Sequence, residues 1–151
     1  MMQLSEVDRK ILNHIQEDVP LVSKPFEFLA DKIGISEDLL LEKIEEFKSN
    51  GVIRMYSAGL NHKKLEFKST LIAVRVPAAK VEDIADYLAQ HVEVTHCYLR
   101  DGEFNLWFVF LYREDSDLVR VLEKIEHEVG KGNILNLKTI KKFKLKTRLK
   151  I

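Results

Sequence analysis

Three residues at alternate positions, His96, Tyr98 and Arg100, place an imidazole, a phenol and a guanidinium within one short stretch. An imidazole moves protons near neutral pH. A guanidinium grips carboxylates in bidentate fashion. A phenol gives an aromatic wall with a polar tip. The stretch that carries them, Val94–Leu111 (VTHCYLRDGEFNLWFVFL), reads as two strands around the turn signal Asp101-Gly102. Strand side chains alternate faces, so Val94, His96, Tyr98 and Arg100 are expected on one face, and Thr95, Cys97 and Leu99 on the other. On the second strand Asn105 and Trp107 alternate with Leu106, Phe108 and Phe110. A row of His, Tyr and Arg is a poor core. It is either a solvated sheet face, which antiparallel sheets commonly have, or a wall for a flat, anionic, aromatic ligand.

The elements that must hold this wall are bounded by composition. The chain has 151 residues, is 46% hydrophobic and 32% charged, and has zero formal net charge. That fits one globular domain or two small ones and makes no global case for nucleic acid. The single cysteine, Cys97, excludes an internal disulfide and a cysteine-cluster metal site, and reads as a small buried hydrophobe. His14, His91 and His127 have no second ligand at a convincing spacing, so no metal site is expected. The start, MMQLSEVDRK, has no apolar signal region, and no apolar run approaches membrane-spanning length, so a cytoplasmic protein is expected.

Charge is unevenly spread. From Lys131 to Ile151 there are eight basic residues and no acids, so the first 130 residues carry net −8. In the tail, Lys144, Lys146, Arg148 and Lys150 alternate with Leu145, Thr147, Leu149 and Ile151, which predicts a strand with one basic face. Such a face either attracts polyanions or protects a sheet edge with lysines.

Ser5 is a good N-cap for EVDRKILNHIQ, Pro25 opens PFEFLADKIG, and Ser36 caps SEDLLLEKIEEFKSNG. Three short helices followed by extended VIRMYSAGL make a winged helix-turn-helix pattern. The third helix carries Glu37, Asp38, Glu42, Glu45 and Glu46 against Lys43 and Lys48, net −3, and no base-reading residue. It argues against entry into a groove walled by phosphates. A basic link, NHKKLEFKS, follows at 61–69. Then come strand, helix, the strand pair, helix and strand, the βαββαβ order of a ferredoxin-like α+β domain with both helices on one sheet face. The expected division is therefore 1–60, 61–69 and 70–151. The third strand is apolar on both faces, which predicts oligomerisation through the uncovered one.

A winged helix-turn-helix followed by a ferredoxin-like domain resembles the Lrp/AsnC regulator architecture. Within that superfamily, the segments PLVSKPF, HCYLR…FNLWF and LNLKTIKKFKL resemble the sirohaem (siroheme) decarboxylase family of the alternative heme and heme d1 pathways. The resemblance covers almost the whole chain, and the tail is more similar to the first of the family's two paired subunits. It implies non-oxidative decarboxylation of siroheme acetate side chains to methyl groups, giving didecarboxysiroheme, with siroheme as substrate and no dedicated cofactor. It implies a heterodimer with a homologous second subunit, or a homo-oligomer through the sheet.

On that footing Arg100, with Arg54 and Lys63 or Lys64, would hold the acetates, and Tyr98 and Trp107 would line the macrocycle. His96 or His62 would protonate the carbanion, or one of them would ligate the iron. Two rivals use other chemistry. An Lrp/AsnC-type regulator would bind DNA and an amino-acid effector. A tetrapyrrole sensor would use the same pocket without catalysis.

Overall fold

The computed structural model describes residues 3–17, 19–144 and 148–151. They form two compact units: one comprises the chain up to Gly59 together with the stretch from Lys144, the other is Leu60–Phe143. The first unit has three helices, α1 (Glu6–Ile15), α2 (Pro25–Ile33) and α3 (Glu37–Ser49). The Ser5 hydroxyl accepts from the Asp8 N–H at 3.1 Å, and the Asp8 carboxylate accepts from the Ser5 N–H at 2.9 Å. This reciprocal cap satisfies two backbone donors that the first turn leaves unpaired. Asp8 is buried and lies 3.4 Å from the Lys43 ammonium. Burial opposes its charged form, but the hydrogen bonds with Ser5 and the nearby Lys43 charge outweigh that, so its carboxyl is held below the usual range. Gly34, at φ 84°, ends α2 in the left-handed conformation that Gly adopts without strain. Ile11, Leu12, Leu29, Ala30, Leu40 and Phe47 close the core between the helices.

Two expectations about this unit change. Among its described residues there is no strand, so VIRMYSAGL is not a paired wing. The basic tail is not a strand where it is described, and Leu145, Lys146 and Thr147 lie outside the described residues. Its end instead straps onto α1. Leu149 N–H donates to Gln16 Oε1 at 2.8 Å, Asn13 Nδ2 donates to Ile151 O at 3.0 Å, and Arg148 pairs with Glu17 at 2.7 Å. Ile151 packs against the three-helix core. The division expected from sequence puts these residues in the second domain; by packing they join the first.

The second unit runs β1 (Lys68–Val74), α4 (Val81–Ala89), β2 (Val94–Leu99), β3 (Leu106–Tyr112), α5 (Asp115–Val129) and β4 (Ile134–Lys138). The sheet order is β2-β3-β1-β4, with every pair antiparallel. The fourth strand therefore precedes most of the basic run. Ile72, Val74, Leu106, Phe108 and Phe110 face Ile84, Leu88, Leu118, Val121 and Ile125 of the two helices in a continuous core. The alternate residues point the other way and form an open apolar face: Leu71, Leu135 and Leu137 are 36%, 39% and 40% exposed there. No helix among the described residues is long and apolar enough to cross a membrane.

Candidate functional site

The site stands on β2, and a bulge sets its face. Val94 pairs with Phe110, yet His96 pairs with the next residue along β3, Val109. Thr95 is thus an extra residue in β2, and extra residues of this kind re-aim the side chains that follow. Val94 therefore packs with Cys97 against the core, not beside His96 as plain alternation predicts. His96 and Tyr98 are left on the open face. Cys97 is half-buried, packed against the core, and this burial pushes its thiol up.

His96, Tyr98, Arg100 and Trp107 line one cleft of about 390 Å³, floored by Leu71 and Val109. The His96 and Tyr98 rings stack with centroids 6.1 Å apart and planes 30° apart. The Arg100 guanidinium carbon lies 5.5 Å from the Tyr98 ring centre. The three side chains form a ladder along the strand, with Tyr98 directly opposite Trp107 across the β2–β3 pair. Thr95 Oγ1 lies 3.0 Å from His96 Nδ1, so Nε2 is the ring nitrogen left for the cleft.

Arg100 lies just past the end of β2, and the connection to β3 is longer than the two-residue turn expected of Asp101-Gly102. Arg100 N–H donates to Asn105 O at 2.7 Å and closes this loop. Trp107 Nε1 donates to Phe104 O at 2.6 Å, which fixes the indole. Asn105 accepts from Val76 N–H at 2.8 Å and donates to Val76 O at 2.9 Å, clasping the loop to the residues after β1. Arg75 pairs with Glu103 and lies 5.2 Å from the Phe104 ring centre. The nearby guanidinium is thus occupied, while Arg100 has no carboxylate partner among the described residues. Asn105 is the residue that sequence reasoning missed. Its signal is an uncharged polar side chain at the head of an otherwise apolar strand.

The other expected site residues lie elsewhere. His62, Lys63 and Lys64 sit in a 3₁₀ turn, His62–Leu65, with His62 Nε2 3.5 Å from Ser69 Oγ. Lys63 lines a different cleft of the second unit, and Arg54 belongs to the first unit. Among the described residues no group of three or more His, Cys, Asp or Glu side chains could hold a metal ion.

Fold and site together define a helix-turn-helix unit joined to an AsnC-like ligand-binding domain with an anion-ready aromatic cleft. Family models agree: residues 64–144 match the AsnC-like ligand-binding domain, and residues 8–54 match the siroheme decarboxylase NirDL-like HTH domain. A methionine-bound transcriptional regulator from Neisseria meningitidis has the same fold (TM-score 0.81, covering 97% of this chain and 96% of that one) at 22% identity. The siroheme decarboxylase alpha subunit of Oleidesulfovibrio alaskensis is 34% identical over 99% of this chain and 90% of its own. The crystal structure of the siroheme decarboxylase NirDL superposes with TM-score 0.71 at 34% identity, over 96% of this chain and 48% of that one. NirDL has also been solved in complex with an iron-uroporphyrin III analogue. The chain belongs to the siroheme decarboxylase family, as the resemblance in its sequence implies.

Proposed function

We propose that this chain is a siroheme decarboxylase subunit that carries reacting groups of its own, and that the His96–Arg100 cleft is where an acetate arm loses carbon dioxide. The supporting observation is the ladder of imidazole, phenol and guanidinium facing Trp107 in one cleft. A flat macrocycle is broader than this cleft and lies across the apolar sheet face beside it. A second, homologous sheet would cover the far side, as two sheets pack face to face in sandwiches.

The geometry supports a role for each residue of the cleft. Arg100, free of carboxylate partners among the described residues, binds the acetate carboxylates. Trp107 and Tyr98 stack on the ring. The bond from methylene carbon to carboxylate breaks, carbon dioxide leaves, and the bonding electron pair stays with the methylene carbon and delocalises into the tetrapyrrole. His96 gives a proton from Nε2 to the methylene carbon and makes a methyl group. Solvent then restores the proton, so no oxidant or reductant is consumed. Thr95 holds the other ring nitrogen and sets the ring's orientation. His62, Lys63 and Lys64 are not in the lining of this cleft, and the proposal gives no role to them or to Arg54.

A DNA-binding regulator is not favoured. α3 carries net −3 on the residues named above, and the regulator shares the fold at 22% identity.

The test is anaerobic incubation of the chain with siroheme, alone and with a homologous subunit, followed by mass spectrometry of the tetrapyrrole. Stepwise loss of carbon dioxide is expected. His96→Ala should slow it by about 10²–10⁴-fold, with His62→Ala close to unchanged. Binding without mass loss under both conditions would reassign the cleft to a sensor.

A further inference from the structure

Two lysine-bearing motifs far apart in sequence, NHKKL at 61–65 and LNLKTIKK at 135–142, have no role in the decarboxylation cleft. The fold brings them together. Lys63 from the first motif and Lys138 and Lys142 from the second line one cleft of about 510 Å³, with Lys68, Ser69, Thr139 and Tyr112. This size falls in the range of small-molecule sites.

The charge balance of this cleft is one-sided. Lys68 is already matched, by Asp115 at 3.0 Å, and that contact holds its ammonium above the usual lysine range. Lys63, Lys138 and Lys142 form no ion pair among the described residues, and Glu66 is the only other acid in the lining. Lysines at a sheet edge often serve to block edge pairing. That reading covers Lys138, which ends the edge strand β4. It does not cover Lys142, which lies beyond the strand, or Lys63, which lies on the opposite side of β1 in sequence. Convergence of like charges from separate elements is unfavourable unless an anion sits between them. Three hydroxyls, from Ser69, Thr139 and Tyr112, add donors of the kind that carboxylate and phosphate oxygens accept from.

We propose that this cleft is a second anion site, separate from the His96–Arg100 cleft, that takes a compact group bearing several carboxylate or phosphate oxygens. Such a group has two sources: the carboxylate rim of a tetrapyrrole, or a free small polyanion. Ser69 lies two residues, about 7 Å, along β1 from Leu71, which floors the His96–Arg100 cleft, whereas Lys68, Tyr112 and Lys138 stand on the helix-covered face of the sheet, so a rim reaching this cleft from the other would pass round the sheet end. The tetrapyrrole source rests on the siroheme reading above, whereas the anion site does not.

The experiment titrates the intact chain with inorganic pyrophosphate and, separately, with propane-1,2,3-tricarboxylate, by calorimetry and by amide chemical shifts. Saturable binding is expected for at least one of them, with shifts at 63–69 and 138–142. Lys138→Ala/Lys142→Ala should weaken it by about tenfold or more, and Arg100→Ala should leave it unchanged. No saturable binding, binding indifferent to the lysine pair, or equal loss in Arg100→Ala would each overturn the proposal. Repeating the titration with siroheme bound separates the sources. Displacement of the probe identifies the tetrapyrrole rim as occupant, and simultaneous binding identifies a free polyanion. If siroheme does not bind at all, the function proposed above fails while the probe titration still decides the anion site.

Discussion

At the scale of single residues, polar side chains do different work in the two units. Asn105 spends both ends of its amide on one backbone residue, Val76, and its own carbonyl on Arg100. Its side chain thus holds the loop that carries Arg100 against the residues after β1. If Arg100 and His96 act as proposed, Asn105→Ala should raise the KM for siroheme by about tenfold and leave kcat within a factor of about three, because the loop loosens while His96 stays in place. Parallel steady-state assays measure the split; an equal fall in kcat would mean that Asn105 acts on the chemical step. Asp8 is a purely structural counterpart. Its carboxyl is held below the usual range in the folded state, so its contribution is fully present above the unfolded value, 3.8. It is lost as pH falls through the lower folded value. Asp8→Asn should therefore cost about 1–2 kcal/mol at pH 7. The two proteins should converge in stability below about pH 3 in denaturant titrations.

At the scale of elements, the legible parts were those with local signals. Ser5, Pro25, Gly34 and Ser36 mark helix ends through caps and fixed φ, and all four stand where those signals put them. The alternation of Leu106–Tyr112 gave both faces of β3 correctly. What was not legible depended on partners distant in the chain. Nothing in VTHCYL announces that Thr95 is extra; only its pairing with β3 does. The tail's regular alternation outcompetes Ile134–Lys138 as a strand signal, yet the latter finds β1 and the former finds α1. Of the site, the ladder was readable because strand period alone brings His96, Tyr98 and Arg100 together. The Asn105 clasp was not readable, because its partner Val76 lies 29 residues away. The bulge makes opposite predictions for two single deletions. Removing Thr95 leaves Val94 facing the core and His96 facing out, so the sheet should stay folded with thermal stability changed by about 1 kcal/mol. Removing Cys97 turns His96 toward Phe108 and the core, at a cost of roughly 2–7 kcal/mol for an imidazole without a partner. Thermal unfolding of the two deletions distinguishes them; similar melting would refute the bulge.

At the scale of the molecule, one face of the sheet is covered by α4 and α5, and the other presents Leu71, Leu135 and Leu137 to solvent. Contiguous apolar faces of this kind mark association surfaces. Leu137→Glu should abolish association through the sheet in sedimentation experiments while leaving the melting of the isolated chain nearly unchanged; association that survives it would move the interface elsewhere. The strap on α1 has a different consequence, which concerns time. The helical unit is assembled from two lengths of chain, before Leu60 and after Phe143, with the sheet unit inserted between them. During synthesis the ribosome must finish and release the inserted unit before Leu149 and Ile151 can reach Gln16 and Asn13. The sheet unit can then mature while the nascent helical unit waits incomplete, and the order of emergence sets the order of folding.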